Sequence, residues 1–288
     1  KKIVCKPNPH HLFHAQNYFM TILHIETSTH VCSVALSHDG DCIFEISNSE
    51  GSNHARLLSL FVQQALDKLK ELNLPLDAVA VSGGPGSYTG LRIGVSTAKG
   101  LCYGFNIPLI AVSTLEVLCV EALKKLENKE NVLLCPMIDA RRMEVYTAFY
   151  TPKLEVKQEI SAEIITEGSF DNLLAENPVY FFGNGAAKCA ATLTHPNAHF
   201  LIDIHPLAKN MIALAERKFE AGDFADVAYY QPFYLKEFQA ICDKQSLGAD
   251  LCKRLNNAIF YQRPLKSQKG NIGRCTFELG KQRCSTSH

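Results

Sequence analysis

The chain has 288 residues, no tryptophan and no net formal charge, and no apolar run in it approaches the ~20 residues of a membrane-spanning helix, so no such helix is expected. The zero balance hides an asymmetry: residues 20–244 carry 27 acidic against 18 basic side chains, while residues 245–288 carry eight basic against two acidic ones. An acidic body is a poor binder of a phosphate backbone, so any nucleic acid involved has to be gripped by something else.

Residues 1–19 show neither helix nor strand period. They contain Pro7, Pro9, His10, His11 and His14. The three histidines offer metal ligands, but the composition favours a disordered upstream extension, with Met20 as the natural start. Ile22–Glu26 then reads as a strand, Thr27-Ser28-Thr29 as a polar corner, Val31–Leu36 as a second strand and Cys42–Ser47 as a third. Strand, hydroxyl-rich turn, strand is the shape of a phosphate-binding hairpin, and equally of any hairpin with a Ser/Thr corner. Ser52 or Asn53 caps a helix to about Leu72. Its apolar set of Leu57, Leu58, Phe61, Val62, Ala65, Leu66 and Leu69 covers a broad face, wide enough for a sheet and also for a partner.

The chain is organised around Ser82-Gly83-Gly84-Pro85-Gly86-Ser87-Tyr88-Thr89-Gly90-Leu91-Arg92-Ile93-Gly94. This stretch follows a buried strand, Ala78–Val81, and opens a helix from about Tyr88 to Tyr103. Ser87 or Thr89 can cap its first free amides. Gly90, Gly94 and Ala98 recur every four residues and form one small-residue stripe, which lets another backbone approach. Two readings compete. One is a phosphate cradle of exposed amides at a helix start; the other is a strand-to-helix corner whose glycines serve close packing. The spacing fits neither GxxxxGK[ST] nor GxGxxG, which favours packing.

Ile107–Val112 is a further buried strand, and Ser113 or Thr114 caps a helix to about Lys125. The pattern then restarts. Val132–Ile138 and Glu144–Tyr150 are strands around an Asp139-Ala140-Arg141-Arg142 corner, and Glu155–Ile165 is extended. A helix spans about Phe170–Ala175, and Val179–Phe182 is a strand. Gly183-Asn184-Gly185-Ala186-Ala187 opens a helix through about Leu193, mirroring the first glycine turn. Phe200–Ile202 is extended and Pro206–Ala221 helical. Asp139, Arg141, Arg142 and Glu144 fit a charged catalytic corner or, on the general polarity of turns, a solvated hairpin. Tyr229-Tyr230-Gln231-Pro232-Phe233-Tyr234-Leu235 is an aromatic cluster that either stacks bases or packs the end of the body onto the fold. Residues 245–288 read as a basic disordered tail. The eleven cysteines are scattered without a CxxC pair, and so read as reduced thiols of a cytoplasmic protein. A hairpin followed by helices, occurring twice, predicts two similar α/β lobes, 20–118 and 119–244.

Ile22–Ser28, Ser82–Gly94, Ile107-Pro108-Leu109-Ile110-Ala111-Val112-Ser113-Thr114-Leu115-Glu116 and Tyr229–Phe238 together resemble the TsaB (YeaZ) family over about residues 20–240. The resemblance implies an ASKHA (actin-like, ribonuclease H-like) fold of two similar lobes, each a mixed sheet with helices. It also implies a non-catalytic subunit of the machinery that forms N6-threonylcarbamoyladenosine on tRNA. Such a subunit is a partner of the catalytic TsaD and the P-loop ATPase TsaE, meeting tRNA indirectly through the complex. In the catalytic relative two histidines hold a metal; the matching positions here are Thr114 and Leu118, with Glu116 kept. Neutral Thr and Leu cannot replace two imidazoles, so no metal and no catalytic residue is expected. The expected partner interface is Leu57, Leu58, Phe61, Gly90, Gly94 and Ala98, with a homodimer possible in isolation. The rival reading is an ASKHA small-molecule kinase or ATPase holding nucleotide at Thr27, Ser28, Thr29, Gly84 and Gly86. Under the family reading no cofactor is expected, with ATP bound only weakly or through the complex.

Overall fold

The computed structural model describes residues 19–51, 53–127 and 130–235. The expectations for the extension before Phe19, the cap at Ser52 and the tail from residue 245 lie outside them. Among the described residues ten strands and five α-helices follow in order: β1 (Thr21–Glu26), β2 (Cys32–His38), β3 (Asp41–Asn48), α1 (His54–Leu72), β4 (Ala78–Ser82), α2 (Tyr88–Phe105), β5 (Leu109–Val112), α3 (Thr114–Lys125), β6 (Leu133–Asp139), β7 (Glu144–Tyr150), β8 (Val156–Ile164), α4 (Asp171–Glu176), β9 (Val179–Phe182), β10 (Ala198–Phe200) and α5 (Ile212–Glu220).

The strands form two five-stranded sheets, ordered β3-β2-β1-β4-β5 and β10-β9-β6-β7-β8. Read from the outer hairpin strand inwards the two orders are the same. Three antiparallel strands come first, then two that run parallel to the first of the three. This is a duplicated α/β lobe, the two-lobe ASKHA-like architecture. β1 and β4 are buried at every position because both faces of the first sheet are covered. Leu23, Ile25, Val79, Val81 and Leu109 face the core under α1 and α2. Ile22, Ala78, Ala80, Ile110 and Val112 face a second core with Met211, Leu214 and Ala215.

Helix packing does not follow the division into two sheets. On α3, Val117 joins the inner core of the first sheet, while Leu115, Leu118, Cys119 and Ala122 join Leu134, Ile138 and Phe182 of the second. After β10 the chain returns to the first sheet, where α5 packs and Ala225 donates from its backbone to the Leu109 carbonyl at 2.8 Å.

Two predicted helices are shorter than their patterns suggested. After Gly183 only a 3-10 turn forms, at Ala187–Cys189. Its bonds mostly span three residues, as in Cys189 N–H to Ala186 and Thr192 N–H to Cys189. Pro196 and the start of β10 at Ala198 leave no room for a longer helix. The 206–221 helix begins as a 3-10 turn at Ala208–Met211. There the Ala208 amide is held by Ser33 Oγ at 3.1 Å.

Candidate functional site

The glycine turn and the β1–β2 corner do meet, but without space between them. Ser87 N–H donates to the Ser28 carbonyl at 2.7 Å, and Thr27 Oγ1 donates to the Gly90 carbonyl at 2.8 Å. A Cβ at Gly86 would come within 2.5 Å of the Ser28 carbonyl oxygen. One at Gly90 or Gly94 would overlap Thr27 outright, at its carbonyl oxygen and its Oγ1 respectively. The predicted cap is present, with Ser87 Oγ accepting from Gly90 N–H at 3.3 Å. On the other side of the turn the segment after α5 closes it. Phe233 N–H donates to the Gly83 carbonyl at 2.7 Å, and the Tyr230 hydroxyl lies where a Gly83 side chain would be. Gly84, at φ +103°, would place a Cβ 2.7 Å from the Phe233 carbonyl oxygen.

Close packing therefore accounts for the glycines. Thr27 and Ser28 are fully buried and Thr29 nearly so, with the Thr29 carbonyl bonded to His54 Nε2 at 2.8 Å. The proposed phosphate set of Thr27, Ser28, Thr29, Gly84 and Gly86 is brought together in a tightly packed corner, with its three hydroxyl residues buried. Of the aromatic cluster Tyr229–Leu235, Tyr230 and Tyr234 pack onto the fold, whereas Tyr229 and Phe233 stand exposed.

Glu26 ends β1 on the inner face of the sheet, flanked in register by Ser33 on β2. One carboxyl oxygen accepts from Ser28 N–H at 2.6 Å; the other has no partner among the described residues. Burial pushes its pKa up to about 7, against the smaller opposing effect of hydrogen bonds from Ser28 and Ser82. Glu26 is fully buried beneath the corner, so its carboxyl differs from the exposed, ionised carboxylate that would hold a metal–nucleotide.

The second lobe has the equivalent corner. Asp139 forms an ion pair with Lys188, whose ammonium also donates to the Glu144 carbonyl at 2.6 Å, and Asn184 Oδ1 accepts from Asp139 N–H at 3.0 Å. Arg141 and Arg142 stand exposed with φ of 73° and 49°. The Asp139 carboxylate is thus engaged as part of a solvated hairpin. Thr114 and Leu118 are buried, Leu118 in the apolar core of the second lobe. Thr114 N–H donates to the Gly84 carbonyl at 3.0 Å, and neither residue offers a metal donor comparable to an imidazole. Among the described residues no group of three or more His, Cys, Asp or Glu is placed to hold a metal ion, and no helix is long and apolar enough to cross a membrane.

The expected partner interface needs correcting. Leu58, Phe61 and Ala98 are buried against their own sheet, and Gly90 and Gly94 against Thr27. Leu57 is only partly exposed. The 3.6-residue period finds whichever face packs most extensively, and here that is the core face. The faces that α1 and α2 leave free carry other residues: Leu60, 52 % exposed, and Tyr103, 85 % exposed. Beside Tyr103, Ser96 is exposed, and Gly100 and Gly104 have nothing within 4 Å of a built Cβ. Ser96, Gly100 and Gly104 are a second small-residue stripe on the opposite side of α2. The sequence carried that signal, but the first stripe masked it.

A family model described as "TsaD: tRNA N6-adenosine threonylcarbamoyltransferase" matches residues 46–269. The tRNA threonylcarbamoyladenosine biosynthesis protein TsaB of Escherichia coli (strain K12) is 31 % identical over 238 residues, 75 % of this chain and 95 % of that one. This chain belongs to the TsaB (YeaZ) family. TsaB of Bacillus subtilis (strain 168) is 34 % identical over 168 residues, 57 % of this chain and 71 % of that protein. Among solved structures, YeaZ from Pseudomonas aeruginosa superposes with a TM-score of 0.63 at 26 % identity, covering 75 % of this chain and all of that one. The TsaB-type two-lobe fold and the long glycine motif thus go together here.

Proposed function

We propose that this chain is the non-catalytic subunit of a tRNA N6-threonylcarbamoyladenosine-forming machinery. It binds and supports the catalytic threonylcarbamoyltransferase subunit, TsaD, through the outer face of α1 and α2. The TsaB relatives are named for this biosynthesis, which gives the pathway. The observation that carries the non-catalytic part is the packed corner: Thr27 Oγ1 and one Glu26 carboxyl oxygen are bonded within the chain, and Gly84, Gly86, Gly90 and Gly94 abut Phe233, Ser28 and Thr27. Support of another subunit needs a surface instead. The free face of α2 has small residues that admit a close-packed helix, with Tyr103 and Leu60 as apolar anchors beside them. The P-loop ATPase TsaE and tRNA join through the complex, no resident cofactor is required, and the same face pairs two copies when the partner is absent.

Mass determination in solution, on the full chain alone and mixed with the same organism's catalytic subunit, tests this. A one-to-one complex, with modifying activity only when both subunits are present, is the expected result. Tyr103→Asp should weaken the complex at least tenfold, by about 1.4 kcal/mol or more as expected of an aromatic anchor. Its melting temperature should stay near that of the wild type, because an exposed substitution costs within about 0.5 kcal/mol. ATP turnover by the chain alone, without association, would overturn the proposal.

A further inference from the structure

The signature turn is covered by the least buried part of the first lobe. No residue from Ala221 to Leu235 is fully buried. The segment crosses β5 and the glycine turn without forming a ladder. It is pinned at a few points: Ala225 N–H on Leu109, Phe233 N–H on Gly83, the Tyr230 side chain against the first-lobe core, and Tyr234 against the Tyr88 ring at 4.9 Å between centroids. Ala225 and Val227 also pack against that core, and a side chain of α2 adds a polar attachment. Lys99 Nζ donates to the Ala228 carbonyl at 3.0 Å and to the Tyr230 carbonyl at 3.1 Å. A segment with so few buried apolar contacts opens locally at much lower cost than the core beneath it.

Lys99 holds the middle of this segment by charge-assisted bonds, and its neighbours on α2 are Ser96, Gly100 and Tyr103, the residues of the free face. We propose that residues Ala225–Tyr234 are a releasable strap latched by Lys99, so that strap docking and partner docking on α2 are coupled through that lysine. The coupling rests on the α2 reading given above; the latch does not. A partner helix seated on Ser96, Gly100 and Tyr103 either draws the ammonium away from Ala228 and Tyr230 or buries it and strengthens both bonds. In each case the strap's hold on Gly83 changes, and by linkage the strap changes partner affinity by the same factor.

Hydrogen–deuterium exchange on the full chain tests both parts. Lys99→Met keeps the apolar stem and removes the donors. In the chain alone this variant should exchange the Ala225 and Phe233 amides roughly tenfold faster, with β4 and α1 amides and the melting temperature unchanged. Adding the catalytic subunit should shift exchange at the same two amides in the wild type by at least severalfold, and not in Lys99→Met. Unchanged strap exchange in Lys99→Met would overturn the latch. Partner binding that leaves wild-type strap exchange unaltered would overturn the coupling. If the wild type binds no partner, the coupling falls together with the α2 reading, whereas the latch is still decided by the chain alone.

Discussion

Gly94→Leu should strongly destabilise the folded chain, and Gly100→Leu, six residues further along the same helix, should not. A side chain at Gly94 meets Thr27 Oγ1, which is bonded to the Gly90 carbonyl, and Val81 of the neighbouring strand. Neither can retreat, because Val81 is paired in register within the buried sheet and Thr27 is fully buried and bonded to the Gly90 carbonyl. Overpacking of this kind costs about 3 kcal/mol or more. At roughly 2–4 °C per kcal/mol that is a loss of about 6–12 °C in melting temperature. Gly100 has open space around it. Leucine there gains helix propensity, so the effect on stability is neutral to favourable by up to about 1 kcal/mol. Association with the partner should show the reverse order, lost in Gly100→Leu. Thermal melts and solution mass on the two variants read both effects. Equal melting temperatures would show that the first stripe is not the packed one.

Glu26→Gln should make the protein more stable than the wild type at pH 8 and remove a pH dependence. The wild-type carboxyl has its pKa raised by burial from 4.5 to about 7. Between those values the folded chain keeps a proton that the unfolded chain has released. Stability from this group is therefore present at low pH and is lost as the pH rises through 7. The loss runs at about 1.4 kcal/mol per pH unit, roughly 3 kcal/mol across the window. Glutamine keeps an oxygen for Ser28 N–H and cannot ionise. The difference in unfolding free energy between variant and wild type should then grow in the variant's favour from pH 5 to pH 8. A difference that stays flat over that range would show that Glu26 is ionised in the folded chain.

The duplicated lobe was legible because each strand ends at a turn written in Gly, Asn, Asp, Ser or Thr, and because β1, β4 and β6 are apolar enough to be buried on both faces. The outer face of α2 was not. Gly90, Gly94 and Ala98 and the opposite Ser96, Gly100 and Gly104 are the same kind of pattern, and only the position of Thr27 decides which one is filled. The return of α5 to the first sheet was also hidden, because Met211, Leu214 and Ala215 suit an inner core of either lobe equally well. The sealed corner depends on the segment around Tyr230 and Phe233, nearly 150 residues from Gly83 in the chain, and no local spacing encodes that contact.

That late return bears on how the protein is made. The inner face of the first sheet, with Ile22, Ala78, Ala80 and Ile110, is closed by residues of α5, and β5 takes its outer neighbour from Ala225. A ribosome that has finished β5 has therefore released a half-built lobe. Its apolar inner surface and one open strand edge must wait until about a hundred further residues have emerged. The second lobe can complete its sheet in that interval, so the lobe that begins synthesis first is the one that finishes folding last. A nascent chain stalled before α5 is the form expected to engage chaperones and to aggregate if released.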